Sequence, residues 1–303
     1  MSKKLVRIRS LSEYVKYIAS MKEPSSGMGL YKKEMVYRGL SNTNYGLVPS
    51  ICRYPSPHWF NTLQSKELDL IEQAQLRFPT MFPEEKYPIF RLARLQHYGI
   101  PTRMMDVTSN ALVALYFACQ SSEEKEQDGE VVVFSDYVLS AFLPIPNAIA
   151  DTAPLCSNAI TSVSTVYYRA KQQPYYGREG YPNSDGMDKE SVERFRKLTS
   201  RPLIVDVGNL TERQKNQQGK FIIFPNVARK FNKEYSYWDE LVVLKKNDKM
   251  IQKRIIIPAA MKESILVQLN RFGISKDYLF ADDVDTVNKV IVDHVKSMYN
   301  KPD

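Results

Sequence analysis

The stretch LQHYGIPTRMMDVTSNALVALYFAC, residues 95–119, places His97, Thr102, Arg103, Asp106, Thr108 and Ser109 directly ahead of a run that is apolar almost all round. Such groups can move a proton, hold an anion or offer a hydroxyl. If the apolar run is a helix, its first backbone N–H groups lack partners and its dipole is positive there, which suits an anion. Thr108 or Ser109 stands where such a helix is capped. Each group also has a structural use. On a helical turn Arg103 and Asp106 share a face and pair, whereas on an extended strand they point to opposite faces. His97 precedes Gly99, where it acts either as a base or as a donor to the open carbonyls of its own helix end. Arg38, within YRGL at residues 37–40, is either a bidentate cation for phosphate and vicinal hydroxyls or a salt-bridge partner for an acid of the second helix. Histidines occur only at 58, 97 and 294, so no histidine-based metal site is expected.

The elements that position these residues follow from periodicity and punctuation. SLSEYVKYIASM predicts a first helix capped by Ser10 or Ser12, MVYRGL a short strand, and residues 61–78 a second helix. IFRLARLQHYG predicts a helix stopped by Gly99 and Pro101, TRMMDV a strand, and NALVALYFACQ a buried helix. VVVFS reads as an interior strand. Residues 165–190, rich in Tyr and broken by Pro and Gly, read as a long loop of the lid or binding kind, with 171–190 expected to be mobile until a ligand orders them. FIIFP, ELVVLKK and KRIIIPA predict three late strands, and MKESILVQLNRFG a helix capped by Gly273. Helices before and after the strands, without regular βαβ alternation, predict an α+β fold with a mixed or antiparallel central sheet flanked by helices.

Composition bounds the partners. A chain of 303 residues with 43% hydrophobic content supports a large core, and a net charge of +8 with interspersed acids permits an anionic partner without demanding nucleic acid. Cys52, Cys119 and Cys156 are far apart with no CxxC pair, so neither a disulfide framework nor a zinc site is expected. The N-terminus lacks the apolar stretch of a signal peptide and no window approaches the roughly 18 apolar residues of a membrane span. A cytoplasmic protein with no membrane partner is the expectation.

Several motifs in order resemble the FRG domain family, named for an aromatic-Arg-Gly tripeptide, here Tyr37-Arg38-Gly39. They are YRGL, LQHYGIPTRMMDVTSNALVALYFA at 95–118, RQKNQQGKF at 213–221 and RIIIPAAMKESILVQLNRFGISKDYLF at 254–280. The resemblance implies an N-terminal helix at 1–29, an FRG domain at 30–285 and a C-terminal helix or tail at 286–303.

The chain is also similar, more weakly, to ADP-ribosyltransferases. That likeness implies an ADP-ribosyltransferase-like core, NAD as substrate, and transfer of ADP-ribose to a nucleic acid or protein acceptor, or NAD cleavage, as in a bacterial toxin or antiphage effector. Those enzymes have an aromatic-Arg-Gly strand, then a strand ending in hydroxyls, then a strand opened by a catalytic Glu. Gln217 or Gln218 stands where that Glu is expected. NAD needs a cation for its pyrophosphate, hydrogen-bond donors and a flat face. Tyr37, Arg38, Gly39, Thr102, Arg103, Thr108 and Ser109 are the residues implied to bind it, with Tyr98, Tyr116 or a loop tyrosine stacking on a ring. Asp106, His97 and Gln217 are the candidate catalytic positions. Asp106 and Glu240 are the acids available to stabilise an oxocarbenium ion. From another class stands a non-catalytic nucleotide or nucleic-acid binding module, favoured by the net charge and the Tyr-rich middle segment.

Overall fold

The computed structural model describes residues 5–24, 32–53, 66–120, 127–156, 160–177, 188–280 and Val292. The strands among them are β1 Leu5–Arg7, β2 Lys33–Leu40, β3 Met104–Thr108, β4 Gly129–Ser140, β5 Ile160–Ser162, β6 Leu203–Asp206, β7 Gly219–Ile223, β8 Asn226–Phe231, β9 Glu234–Leu241 and β10 Ile251–Ile257. The helices are α1 Leu11–Ala19, α2 Glu67–Arg77, α3 Pro88–His97, α4 Ala111–Cys119, α5 Pro144–Ala150, α6 Thr152–Leu155, α7 Val163–Lys171, α8 Lys189–Leu198, α9 Glu212–Asn216, α10 Ala259–Arg271 and α11 Lys276–Leu279.

The fold is α+β, with a mixed central sheet flanked by helices. Its strands run β1-β10-β4-β2-β3-β7-β6, and β6 pairs back onto β4, so that β4, β2, β3, β7 and β6 close into a five-stranded barrel. The long β4 makes both arrangements possible. Its first half pairs antiparallel with β10, and Val138–Ser140 then run parallel to β6. β2 pairs with β4 from Lys33 to Leu40, but with β3 only at Tyr37 and Thr108. The seam between β2 and β3 is therefore the thinly paired side of the barrel. A second sheet, β5-β9-β8, lies outside the ring.

Alternation along the strands divides the core in two. Tyr37, Val131, Val133, Ile255 and Ile257 face α1, α4 and α10. Val36, Val132 and Phe134, one residue out of step, belong to the cluster that includes Ile204, Ile222, Leu92 and Ile149. The helix α4 lies against β2 and β4 at two glycines. A Cβ on Gly39 would overlap the Ala114 carbonyl oxygen, the Ala118 nitrogen and the Phe117 Cβ, and one on Gly129 would overlap the Ala118 carbonyl. Close approach, not a positive φ, explains the glycine of the tripeptide.

Several expectations need correction. α4 is capped by Asn110, whose side chain accepts from Leu112 N at 2.9 Å and Val113 N at 3.4 Å, because Thr108 is still a strand residue and Ser109 bonds back to Gln218. Residues 163–171 form a helix, not a loop, with Val163, Val166, Tyr167 and Ala170 buried on one face and Ser162 as its cap. Tyr175 and Tyr176 are buried too, so the start of the expected mobile segment is packed. The strand expected at ELVVLKK lies earlier, at β9, and pairs with β8 through a turn in which both Asn232 and Lys233 have positive φ. The expected first turn of the second helix at 61–65, residues 178–187 of the middle segment and the C-terminal segment, Val292 excepted, lie outside the described residues. No helix among the described residues is long and apolar enough to cross a membrane.

Candidate functional site

Where β2 and β3 part, a pocket of about 150 Å³ opens, lined by Tyr37, Arg38, Gly39, Asp106, Thr108, Phe117, Arg213, Gln217 and Lys220 among others. Arg38 bridges the gap in the ladder. On β2 it alternates with Tyr37 and Gly39 and so points away from α4. Its Nη1 donates to the Asp106 carbonyl, standing in for a missing strand-to-strand bond. Its Nε is buried without a partner, and Nη2 makes no hydrogen bond among the described residues. Burial, and then the charge of Arg53, lower its pKa to about 10, with Asp106 opposing them. It remains a cation at neutral pH, in a setting that leaves that charge incompletely solvated.

The walls come from distant parts of the chain. Thr108 donates to the Gln217 carbonyl at 2.6 Å and accepts from Asn110 N at 2.9 Å, which ties the end of β3 to the turn before β7. The Asp106 carboxylate receives Gln96 Nε2 at 3.0 Å. Lys220 is held by Asp206 and by Glu34, the latter at 3.6 Å. Arg213, on α9, meets no carboxylate among the described residues and lays its guanidinium over the ring of Phe280.

The expected site residues divide accordingly. Tyr37, Arg38, Gly39, Asp106, Thr108 and Gln217 converge on the pocket. Ser109 sits beside it, bonded to the Gln218 carbonyl at 3.3 Å. Thr102 is buried and donates to Gln96 Oε1 at 2.7 Å. Nδ1 of His97 lies 3.4 Å from the hydroxyl of Thr211, which caps α9, so His97 supports the helix that carries Arg213 instead of lining the pocket. Arg103, the residue just before β3, is turned into the core and away from the pocket that Asp106 lines. There it is bound by Glu67 of α2. Glu240 belongs to the second sheet and pairs with Arg229, so it supplies no acid to the pocket. Tyr98 packs edge-on against Phe82.

Residues 33–127 match the family model described as FRG domain. The chain carries an FRG domain. The matched segment of the FRG domain contains the whole tripeptide strand and β3 with α4, hence Arg38, Asp106, Thr108 and Phe117. Arg213, Gln217 and Lys220 complete the pocket from beyond the match. No curated protein and no solved structure matches the chain.

Phe117, Arg213 and Lys220 were not singled out from the sequence. Only Lys220 leaves a trace there, as a cation opening the apolar strand GKFII two residues after Gln218. Arg213 and Phe117 become visible only once α9 and α4 are seen to flank the same seam.

Proposed function

We propose that the seam pocket of this FRG domain binds a phosphate-bearing nucleotide, with NAD or its ADP-ribose portion as the candidates and Arg38 as the anchoring cation. One observation carries the reading: Arg38 keeps Nη2 unbonded among the described residues in a pocket whose second guanidinium, Arg213, meets no carboxylate either. Two guanidiniums that form no salt bridge among the described residues suit an anion, and guanidinium forks fit phosphate oxygens bidentately.

Cleavage of NAD, or transfer of its ADP-ribose, is favoured by the presence of Asp106 in the same lining, since a carboxylate stabilises the oxocarbenium character that develops as nicotinamide leaves. A non-catalytic nucleotide or nucleic-acid binding module is favoured instead by Gln217, an amide whose Nε2 is committed to the Leu279 carbonyl at 2.9 Å.

Calorimetric titration with ADP-ribose tests the common core. Arg38→Ala is expected to lose about 1.5–3 kcal/mol of binding, roughly ten- to a hundredfold in Kd, and Arg38→Lys to recover only part because the fork is gone. Binding that ignores Arg38 ends the reading. Nicotinamide release from NAD that Asp106→Asn abolishes, with ADP-ribose affinity retained, makes the protein an NAD-cleaving enzyme. Binding without release makes it a module.

A further inference from the structure

One short segment engages three of the pocket's lining residues. The Arg213 guanidinium lies 4.8 Å from the centroid of the Phe280 ring. Phe117 meets the same ring edge-on with centroids 5.9 Å apart. Gln217 donates to the Leu279 carbonyl at 2.9 Å, and its neighbour Asn216 to the Tyr278 carbonyl at 2.7 Å. These amides satisfy carbonyls at the end of α11, a single turn with no following turn of its own to bond them. Leu279 is fully buried and anchors the segment, whereas Phe280 is only half-buried.

The geometry points to a ring-binding subsite: the slot between Arg213 and Phe117 takes the adenine ring of the nucleotide, and Phe280 fills that slot until the ring displaces it. The inference rests on the nucleotide reading above. A guanidinium plane opposite an aromatic edge is what a π-faced heterocycle needs, and Phe280 makes both contacts. Size argues the same way. With Phe280 in place the pocket is about 150 Å³, enough for a phosphate or part of a ribose. Sites that enclose a whole organic ligand run from about 300 to 1,000 Å³. Swinging one phenyl ring out, with Leu279 still anchored, joins the slot to the pocket without unfolding α11.

The test is titration of the whole 303-residue chain with ADP-ribose, comparing wild type, Phe280→Ala, Arg213→Ala and Arg38→Ala. Removing the occupant should tighten binding about three- to tenfold in Phe280→Ala, the worth of one ring–guanidinium contact, while Arg213→Ala weakens it. Equal or weaker binding by Phe280→Ala overturns the subsite, even where Arg38-dependent binding upholds the nucleotide reading. Absence of binding by both wild type and Phe280→Ala defeats the nucleotide reading and the subsite with it. The aromatic NMR signals of Phe280 give a check that needs no variant. At saturating ADP-ribose they should lose the ring-current shift imposed by Phe117, while the Leu279 amide stays protected by its bond to the Ser275 carbonyl. Phe280 signals that ignore the ligand overturn the displacement.

Discussion

Glu67→Gln is expected to destabilise the protein by about 3–5 kcal/mol, read as a lower midpoint in urea denaturation. The reason is the setting of Arg103. Its side chain is 2% exposed and that of Glu67 3%. Nε donates to both carboxylate oxygens at 2.9 Å, and Nη1 donates to the Ile149 carbonyl at 3.0 Å and to Asn226 Oδ1 at 2.7 Å. A guanidinium cannot shed its proton in the physiological range, so deleting the partner's charge leaves a cation buried without compensation. The cluster joins α2, the residue leading into β3, the end of α5 and β8, which is why its loss should be felt globally. The pair-wise replacement Glu67→Leu with Arg103→Met removes both charges together and should recover most of the loss. A Glu67→Gln midpoint within experimental error of wild type would refute the account.

Gly39→Ala should cost at least about 3 kcal/mol, the upper end of ordinary over-packing, because the added methyl meets backbone instead of a side chain that can turn aside. The Ala114 carbonyl and the Ala118 nitrogen belong to α4, which is itself pinned on its other side by Ile265 and Leu269 of α10 and by Tyr14, whose hydroxyl donates to the Ala111 carbonyl at 2.8 Å. Gly177→Ala is the control, since a Cβ there meets nothing within 4 Å among the described residues. Denaturation curves of the two variants should separate clearly. A Gly39→Ala protein as stable as Gly177→Ala would show that α4 can retreat, and that the close approach is not what selects glycine in the tripeptide. Within three consecutive residues the roles are then distinct: Tyr37 packs under α4, Arg38 faces the pocket and Gly39 lets the helix in.

Much of this was legible in the sequence where a local rule coincides with the tertiary outcome. Gly99 and Gly273 have the positive φ that a helix-ending glycine adopts, and the apolar run of α4 is buried nearly all round. The β8–β9 hairpin was hidden because its turn is Asn-Lys, without the glycine that usually marks such a turn. α7 was hidden because it opens with Val163, Ser164, Thr165 and Val166, residues of low helix propensity, although its buried positions keep helical spacing. The site was half legible. Arg38, Asp106 and Thr108 stand on strands whose motifs are distinctive, but Arg213 and Lys220 acquire meaning only from barrel closure, a pairing between strands far apart in the chain. Arg103 was misplaced for a plain reason: its charge suggested a ligand, while its side chain runs into the core to meet Glu67.

Closure of the barrel has a consequence for the order in which the molecule can be made. β2 is synthesised early, yet its main partner, β4, follows some ninety residues later, and β6 and β7, which complete the ring, emerge only after residue 200. Until then β2 and β3 have a single bridge between them, far too little to hold on its own. The segment that matches the family model ends before β4 begins, so on the ribosome it exposes Val36, Met104 and Met105 without the strands that will cover them. The interval between the synthesis of β3 and that of β7 is the period in which the nascent chain is most exposed to aggregation, and its length is set by translation speed rather than by any local folding step.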